Sequence, residues 1–258
     1  MILFETQNLS KHFGGLKAVE DFSFCLERGM IYSIIGPNGA GKTTLFNCFT
    51  GLYPSTSGKI KFKDDDITGL KPHRITRLGI GRTFQNIRLF AEMTALENVM
   101  VGMFSRTHSG VIGSIIRMPG TVSEERASAK TALQLLEFVG LADKKDAWAR
   151  NIAYGSQRRL EIARALATQP ELLLLDEPVA GMNPSETRDL MDLILKIREK
   201  GITILLIEHD MKFVMGISDC ISVLDHGVKI AEGCCNEIKS NPKVIEAYLG
   251  KDGTESGG

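Results

Sequence analysis

The sequence predicts an α/β fold with a mainly parallel sheet, and three observations lead to this prediction. Short runs at Ile31–Ile35, 171–175 and 202–207 are almost entirely apolar, which is typical of strands that helices cover on both faces. Apolar residues at helical spacing separate the last two runs, which indicates a strand–helix–strand unit. A glycine-rich loop follows the first run directly. In such sheets, ligands bind at the edge where the strands end.

The helix between the last two runs is predicted within residues 185–201, where Gly201 supplies a stop. The residues of its apolar face are Leu190, Leu193, Ile194 and Ile197. Closer to the C-terminus, residues 220–233 predict two strands around a turn at 225–227.

The N-terminal part of the chain has a different pattern. Its polar and apolar residues partly alternate, which predicts a smaller, mainly antiparallel β subdomain. The alternating segments are residues 3–13, 19–29 and 58–67.

The middle of the chain, from about Leu96 to Tyr154, shows little strand pattern. Residues 123–141 have an apolar helical face, and Ser123 is a candidate N-cap. We therefore predict one domain over residues 1–250, in which a helical subdomain is inserted into an α/β core. The predicted boundaries are 1–85 and 157–250 for the core and β subdomain, 86–156 for the helical subdomain, and 251–258 for a flexible tail.

Composition and charge narrow the class of protein. Hydrophobic residues make up 43% and charged residues 24% of the chain, as in ordinary globular proteins. The 31 Lys and Arg residues balance the 31 Asp and Glu residues, so no overall field favours nucleic acid as a partner. No apolar run approaches the ~20 residues that cross a bilayer, and no secretory signal is predicted. If the protein functions at a membrane, we expect it to bind at the membrane surface without crossing the bilayer.

A phosphate-binding loop follows the first buried run. Its residues, which fit the pattern G-x-x-x-x-G-K-[ST], are Gly36, Pro37, Asn38, Gly39, Ala40, Gly41, Lys42 and Thr43. Inward-turned backbone N–H groups and the N-terminus of the next helix would bind phosphates. Lys42 would reach the β- and γ-phosphates of ATP, Thr43 would ligate Mg²⁺, and Thr44 completes the predicted nucleotide site. This context predicts a P-loop NTPase core of the RecA-like type.

Candidate catalytic groups follow the next two buried runs. Asp176 and Glu177 come at the end of one strand, where Asp176 could hold Mg²⁺ and Glu177 could polarise a water for in-line attack. His209 follows the neighbouring strand. It would lie near the same γ-phosphate, where it could donate a hydrogen bond and hold the attacking water.

The order of these motifs resembles the nucleotide-binding domain of ABC transporters over the whole chain. The resemblance implies that Gln85, in "GRTFQN", contacts Mg²⁺ and the attacking water, and that adenine stacks on Phe13. It also implies that residues 152–156, the signature segment with Ala153 and Gly155, close over an ATP held by a second ATPase domain. Two ATP molecules would then lie between two subunits.

A finer resemblance joins the chain to the ATP-binding subunits of branched-chain amino-acid importers of the LivG-like type. It is carried by "FGGLKAV", "GRTFQNIRLF", "MTALENV", "YGSQRRLEIARAL", "DEPVAGMNP", "LIEHDM" and "VIEAYLG". It implies a peripheral protein at the cytoplasmic face of the inner membrane, with a sister ATPase or a second copy as its dimer partner. Two permease subunits and, indirectly, a periplasmic or lipid-anchored amino-acid-binding protein complete the implied assembly.

The signature segment departs from the family pattern at Ala153, where a serine is usual. A methyl group cannot bond to the γ-phosphate, and a hydrogen bond to a charged group contributes ~1.5–3 kcal/mol. The N–H of Gly155 and the dipole of a helix expected to start near Gln157 would remain. We therefore expect weaker closure of the dimer without loss of hydrolysis. Further departures are Tyr154 in place of a glycine, Ser156 in place of a glutamine, and Asn183, where many relatives carry aspartate.

Two alternative functions remain open from the sequence. One is an ABC ATPase for lipopolysaccharide export, whose subunit is similarly short and ends in a similar "YLG" motif. The other is a soluble ABC ATPase that acts on DNA or ribosomes, although such proteins usually carry coiled coils or two ATPase domains. The transported substrate does not follow from the motifs.

Overall fold

The computed structural model describes residues 1–104 and 119–249, without side-chain detail for 119–125 and 249. Part of the predicted helical subdomain, residues 105–118, falls outside these residues, as does the whole predicted tail at 251–258. The chain forms two compact units. The first contains Met1–Ile75 and the chain from Leu172 onward, and the second contains Thr76–Glu171. The subdomain boundaries at 85/86 and 156/157 stay a prediction.

The strands and helices are numbered along the chain. The strands are β1 (Ile2–Phe13), β2 (Leu16–Glu27), β3 (Ile31–Ile35), β4 (Ser57–Phe62), β5 (Asp65–Asp66), β6 (Ile80–Arg82), β7 (Leu172–Asp176), β8 (Thr203–Ile207), β9 (Cys220–Asp225) and β10 (Val228–Gly233). The helices are α1 (Lys42–Phe49), α2 (Pro72–Leu78), α3 (Ala95–Met103), α4 (Pro119–Phe138), α5 (Tyr154–Leu166), α6 (Pro184–Glu199), α7 (Met211–Ile217), α8 (Cys235–Ser240) and α9 (Pro242–Leu249).

The first unit contains both predicted kinds of sheet. Strands β2, β1, β4 and β5 form an antiparallel sheet in this order. Strands β9, β3, β8 and β7 run parallel to one another, and β10 pairs antiparallel with β9. Every residue of β3, β7 and β8 is buried, as expected for strands covered on both faces. The prediction of the fold class is confirmed.

Helix α6 connects β7 and β8 and confirms the predicted strand–helix–strand unit. The four apolar residues predicted for its inner face are all buried. Asn183 begins the helix, because its side chain accepts hydrogen bonds from the N–H groups of Ser185 and Glu186, and Glu186 bonds back to the N–H of Asn183. The departure at Asn183 therefore places a good N-cap residue at the loop that follows Glu177.

Helices α3, α4 and α5 form the core of the second unit. A Cβ atom on Gly102 would lie 2.3 Å from the carbonyl oxygen of Arg164, so α3 and α5 approach closely at this glycine. Two predicted helix starts are wrong. Helix α4 begins at Pro119, not at Ser123, and α5 begins at Tyr154, not near Gln157. The predicted starts rested on the spacing of apolar residues, and this spacing does not extend into the first turn of either helix. The exact start of a helix depends on local backbone geometry.

Among the residues that the structure describes, no helix is both long enough and apolar enough to cross a membrane.

Candidate nucleotide site

The phosphate loop, residues 36–43, connects β3 to α1 and contains two glycines that combine a positive φ with a lack of space for a side chain. Gly36 has φ 154° and Gly41 has φ 103°, values that side chains disfavour. A Cβ atom on Gly36 would lie 2.0 Å from the carbonyl oxygen of Leu224, and one on Gly41 would lie 2.3 Å from that of Ala18. The loop backbone therefore packs directly against β9 and β2, which fixes the path of its N–H groups.

Lys42 lies inside this loop. It is the first residue of α1 and is buried. Its Nζ donates hydrogen bonds to the carbonyl oxygens of Gly36 (2.6 Å) and Pro37 (2.8 Å). The loop thus surrounds a positive charge at a helix N-terminus, which is a site suited to phosphate.

Phe13 is exposed at the end of β1 and has an aromatic neighbour that the sequence interpretation missed. The ring of Tyr53 lies 5.4 Å from that of Phe13, edge to face, and the Nζ of Lys11 lies 4.7 Å from the Phe13 ring centre. Both aromatic rings are about two-fifths exposed, at 43% and 39%. Such rings offer a surface on which a base can stack.

The ends of β7 and β8 bring Asp176, Glu177 and His209 to one edge of the parallel sheet. Asp176 is buried at the last position of β7. Glu177 has φ 45°, in the left-handed region, and its N–H donates to the carbonyl oxygen of Ile207 at the end of β8 (3.0 Å). Oε2 of Glu177 lies 3.8 Å from Nδ1 of His209. The structure therefore brings these two candidate catalytic side chains together, as their positions after adjacent strands predicted.

Glu208 occupies the same strand end and was not among the predicted site residues. Its side chain is fully buried, and burial raises the pKa of its carboxyl group, while backbone N–H groups that point at it lower this pKa in part. Oε1 accepts a hydrogen bond from Val179 N (3.0 Å), and Oε2 accepts one from His209 N (3.0 Å). A glutamate at the end of a buried strand, directly before the histidine, was the available indication in the sequence.

Gln85, Ala153 and Gly155 lie in the second unit, where a buried ion pair holds the backbone at Gln85. Arg158 donates to the carbonyl oxygens of Phe84 (2.6 Å) and Gln85 (2.8 Å). It also pairs with Glu161 at 3.0 Å, and both side chains are almost completely buried, at 0% and 1% exposed. Burial raises the pKa of the Glu161 carboxyl group, which the Arg158 charge lowers in part. Arg158 and Glu161 were also missed, because isolated charged residues are usually read as exposed.

The signature segment forms the beginning of α5. Ala153 is the N-cap residue and provides no side-chain hydrogen bond to the helix, while Tyr154 is exposed and Gly155 is buried. The first-turn N–H groups of a helix lack partners within the helix. The N–H of Gly155 is thus one of the groups that a phosphate at this helix end would meet.

The oxygen donors of the first unit fit a magnesium ion bound with a nucleotide. In residues 1–104 and 119–249, no group of three or more His, Cys, Asp or Glu side chains could hold a metal by itself. Mg²⁺ usually takes only one or two protein carboxylates, together with phosphate oxygens and water. The Thr43 hydroxyl and the buried Asp176 carboxylate are donors of this kind.

Comparison with known sequences agrees with this geometry. A family model described as "ABC transporter" matches residues 19–180, and one described as "Branched-chain amino acid ATP-binding cassette transporter" matches residues 228–254. BraF of Pseudomonas aeruginosa, a high-affinity branched-chain amino acid transport ATP-binding protein, is 48% identical over 96% of this chain and 98% of its own. LivG of Escherichia coli, described in the same words, is 47% identical over the same shares.

Solved structures show the same relationship. An ATP-binding cassette of an ABC transporter in its ADP conformation is 36% identical, covers 97% of this chain and 99% of its own, and has a TM-score of 0.85. A dimeric bacterial ABC transporter cassette is 26% identical, covers 90% of this chain and 99% of its own, and has a TM-score of 0.78. The predicted resemblance is confirmed: this chain belongs to the ABC transporter family of ATP-binding proteins.

Proposed function

We propose that the chain binds and hydrolyses ATP as the ATPase subunit of an ABC importer of branched-chain amino acids. The observation that carries the ATPase assignment is the buried ammonium of Lys42 inside the phosphate loop, in the same unit as the Glu177–His209 pair. The transport assignment is supported by relatives such as BraF and LivG, whose names give this function. It is favoured over lipopolysaccharide export and over non-transport ATPases for the same reason.

ATP binding uses the phosphate loop together with side chains at the ends of β1 and β7. Adenine stacks on Phe13, and the triphosphate lies along the loop N–H groups, where Lys42 exchanges its carbonyl partners for phosphate oxygens. Thr43 and Asp176 would hold Mg²⁺, and the family resemblance makes Gln85 a further candidate ligand. When bound, the ion neutralises charge on the phosphates.

Hydrolysis uses the groups at the strand ends. Glu177 accepts a proton from a water molecule as the water oxygen bonds to the γ-phosphorus and the bond to the β,γ-bridging oxygen breaks. His209 donates a hydrogen bond to the γ-phosphate, and the family resemblance gives Gln85 the role of orienting the water. The proximity of Glu177 to His209 supports these roles.

Dimerisation supplies the rest of the site. The N-terminus of α5, with Ala153 and Gly155, faces the γ-phosphate of the ATP held by the partner ATPase, which is a sister subunit or a second copy. The relationship to a dimeric cassette supports this arrangement. Since Ala153 lacks a hydroxyl, backbone N–H groups carry this contact.

The second unit contacts the membrane partners. It exposes large apolar side chains, which mark interaction surfaces when they cluster, and two permease subunits are the proposed partners. These side chains include Phe90, Met93, Phe104 and Trp148. The protein is then peripheral at the cytoplasmic face of the inner membrane, and an amino-acid-binding protein delivers substrate from the other side.

Uptake by a deletion strain tests this function. Loss of the gene should abolish high-affinity uptake of labelled leucine, isoleucine or valine, and the wild-type gene should restore it while Glu177→Gln does not. Lysine uptake is the control for general damage. Normal uptake of all three branched-chain amino acids in the deletion strain would contradict the transport assignment.

A further inference from the structure

Glu208 connects the two catalytic strand ends. We propose that it is a positioning residue for hydrolysis, which holds the turn after Glu177 against the backbone of His209. The inference deepens the proposed function and rests on it. It concerns a side chain that carries no role in the chemistry described above.

The first argument is the burial of the carboxylate. Glu208 is fully buried, and the removal of a carboxylate from water costs several kcal/mol unless hydrogen bonds compensate. An apolar side chain would fill the end of β8 without this cost. The hydrogen bonds of Glu208 therefore indicate what the carboxylate provides.

The second argument is the position of those bonds. One carboxylate oxygen accepts from Val179, two residues after Glu177, and the other accepts from the N–H of His209. Because the two oxygens belong to one rigid group, they fix the turn after β7 relative to the backbone that carries His209. The Val179 carbonyl in turn accepts from Met182 N (3.1 Å), which extends the arrangement towards Asn183.

The third argument is the strain at Glu177. A non-glycine residue with φ 45° is strained and persists when its surroundings hold it in place. The N–H of Glu177 donates to the carbonyl oxygen of Ile207, and the N–H of Val179, two residues later, donates to the Glu208 carboxylate. Glu208 thus supplies one of the contacts that keep the Glu177 carboxylate beside His209.

A role as a helix cap does not explain Glu208. The next helix, α7, is capped by Asp210, whose side chain accepts from the N–H groups of Lys212 and Phe213. The backbone groups bound by Glu208 precede this helix or belong to the turn after β7. Its bonds therefore serve the catalytic strand ends.

The test compares Glu208→Gln with Asp219→Asn. The Asp219 carboxylate also accepts a backbone N–H, from Ile31 (2.7 Å), but at the start of β3 and hence at the opposite end of the sheet. The full chain is assayed with MgATP in the complex in which it is purified from membranes. The readouts are kcat, KM and amide hydrogen exchange at Val179.

Glutamine has one acceptor oxygen in place of two, so one of the two backbone bonds is lost. We expect Glu208→Gln to lower kcat about 10- to 100-fold, to leave KM for ATP within about twofold, and to speed exchange at Val179. Asp219→Asn should leave kcat unchanged even if it lowers thermal stability. Glu208→Asp keeps the buried charge but draws the oxygens back by one methylene, so it should also lower kcat at constant KM, and it decides the question if the glutamine variant does not fold.

The outcomes separate this inference from the proposed function. A wild-type complex that hydrolyses ATP, with an unchanged kcat in the folded Glu208 variants, would overturn the positioning role alone. Equal losses of kcat in Glu208→Gln and Asp219→Asn would also overturn it, since they would indicate a general effect of stability. A wild-type complex without ATPase activity would contradict the proposed function and this inference together.

Discussion

The phosphate loop and the signature segment both present a helix N-terminus, but they are built differently. The phosphate loop is enclosed by strands of its own unit, contains a buried lysine, and has glycines at positions without space for a side chain. The signature segment is open. Ala153 and Tyr154 are exposed. The nearby charged side chains of Arg158 and Glu161 are buried, where they form an ion pair with each other and Arg158 donates to backbone carbonyls.

Because of this difference, the phosphate loop is suited to bind a nucleotide, whereas the signature segment is suited to complete a site where a nucleotide is already bound. The phosphate loop holds its positive charge and its N–H groups within one unit, so it can bind a nucleotide by itself. The signature segment itself contains no charged residue, and the Lys144 ammonium beside it donates to the Ser156 hydroxyl (3.2 Å), which leaves the segment too few contacts to hold a phosphate alone. It is suited to an ATP that another subunit already holds.

The largest effect should come from Glu177→Gln, which tests whether the first unit supplies the chemistry. Without the carboxylate, no base accepts the proton of the attacking water, and we expect kcat for ATP hydrolysis to fall about 10²- to 10⁴-fold. The affinity for MgATP should be retained. Glu186→Gln, in the first turn of α6, is the control, and hydrolysis at the wild-type rate by Glu177→Gln would contradict the assignment.

A second change, Arg158→Met, tests whether the buried ion pair with Glu161 stabilises the helix that begins at the signature segment. It leaves Glu161 buried without its cation and removes the hydrogen bonds to the carbonyls of Phe84 and Gln85. We expect the free energy of unfolding, measured with urea, to fall by about 3–5 kcal/mol. Arg159→Met, at the partly exposed neighbour, should cost less than about 1 kcal/mol, and equal losses would argue against a special role of the buried pair.

Lys42→Ala should have an intermediate effect, on binding. Loss of a charged hydrogen-bond donor to phosphate is worth about 1.5–3 kcal/mol, so the Kd for ATP should rise about 10- to 100-fold. Nucleotide titration of the purified chain measures it, with Lys59→Ala on the exposed side of β4 as the control. An unchanged Kd would mean that the loop does not bind the triphosphate as proposed.

Ala153→Ser should have the smallest effect. A serine at the N-cap of α5 would stabilise the helix by about 1 kcal/mol and add a hydroxyl for the partner's γ-phosphate, so ATP-dependent dimerisation should tighten modestly. Ala153→Gly improves the cap without a hydroxyl and separates the two causes. If the wild-type complex had no ATPase activity and serine restored it, the tolerance of Ala153 would be disproved.

The core of the first unit could be predicted because its signals are local. Fully apolar runs specify strands covered on both faces, and the phosphate loop has fixed spacing, so the sequence alone places Asp176, Glu177 and His209 at strand ends and Lys42 at the start of a helix. Parallel pairing then places the ends of β7 and β8 side by side.

The burial of these charges could not be predicted because it depends on hydrogen-bond partners that are distant in sequence as well as on near ones. Arg158 donates to carbonyl groups 73 and 74 residues away, and Glu208 accepts from an N–H group 29 residues away. The start of α5 was missed for another reason. Alanine is a poor N-cap, so the composition of residues 153–156 does not indicate the start of a helix.

Sedimentation of the Glu177→Gln chain with its partner ATPase tests most directly the claim that two ATPase domains complete each nucleotide site. With MgATP, the non-hydrolysing proteins should form a dimer that dissociates when nucleotide is removed. Adding Lys42→Ala to the same chain should weaken that dimer. The account would be contradicted if the proteins stayed monomeric in saturating MgATP, or if monomers of the wild-type chain hydrolysed ATP at the rate of the assembled complex.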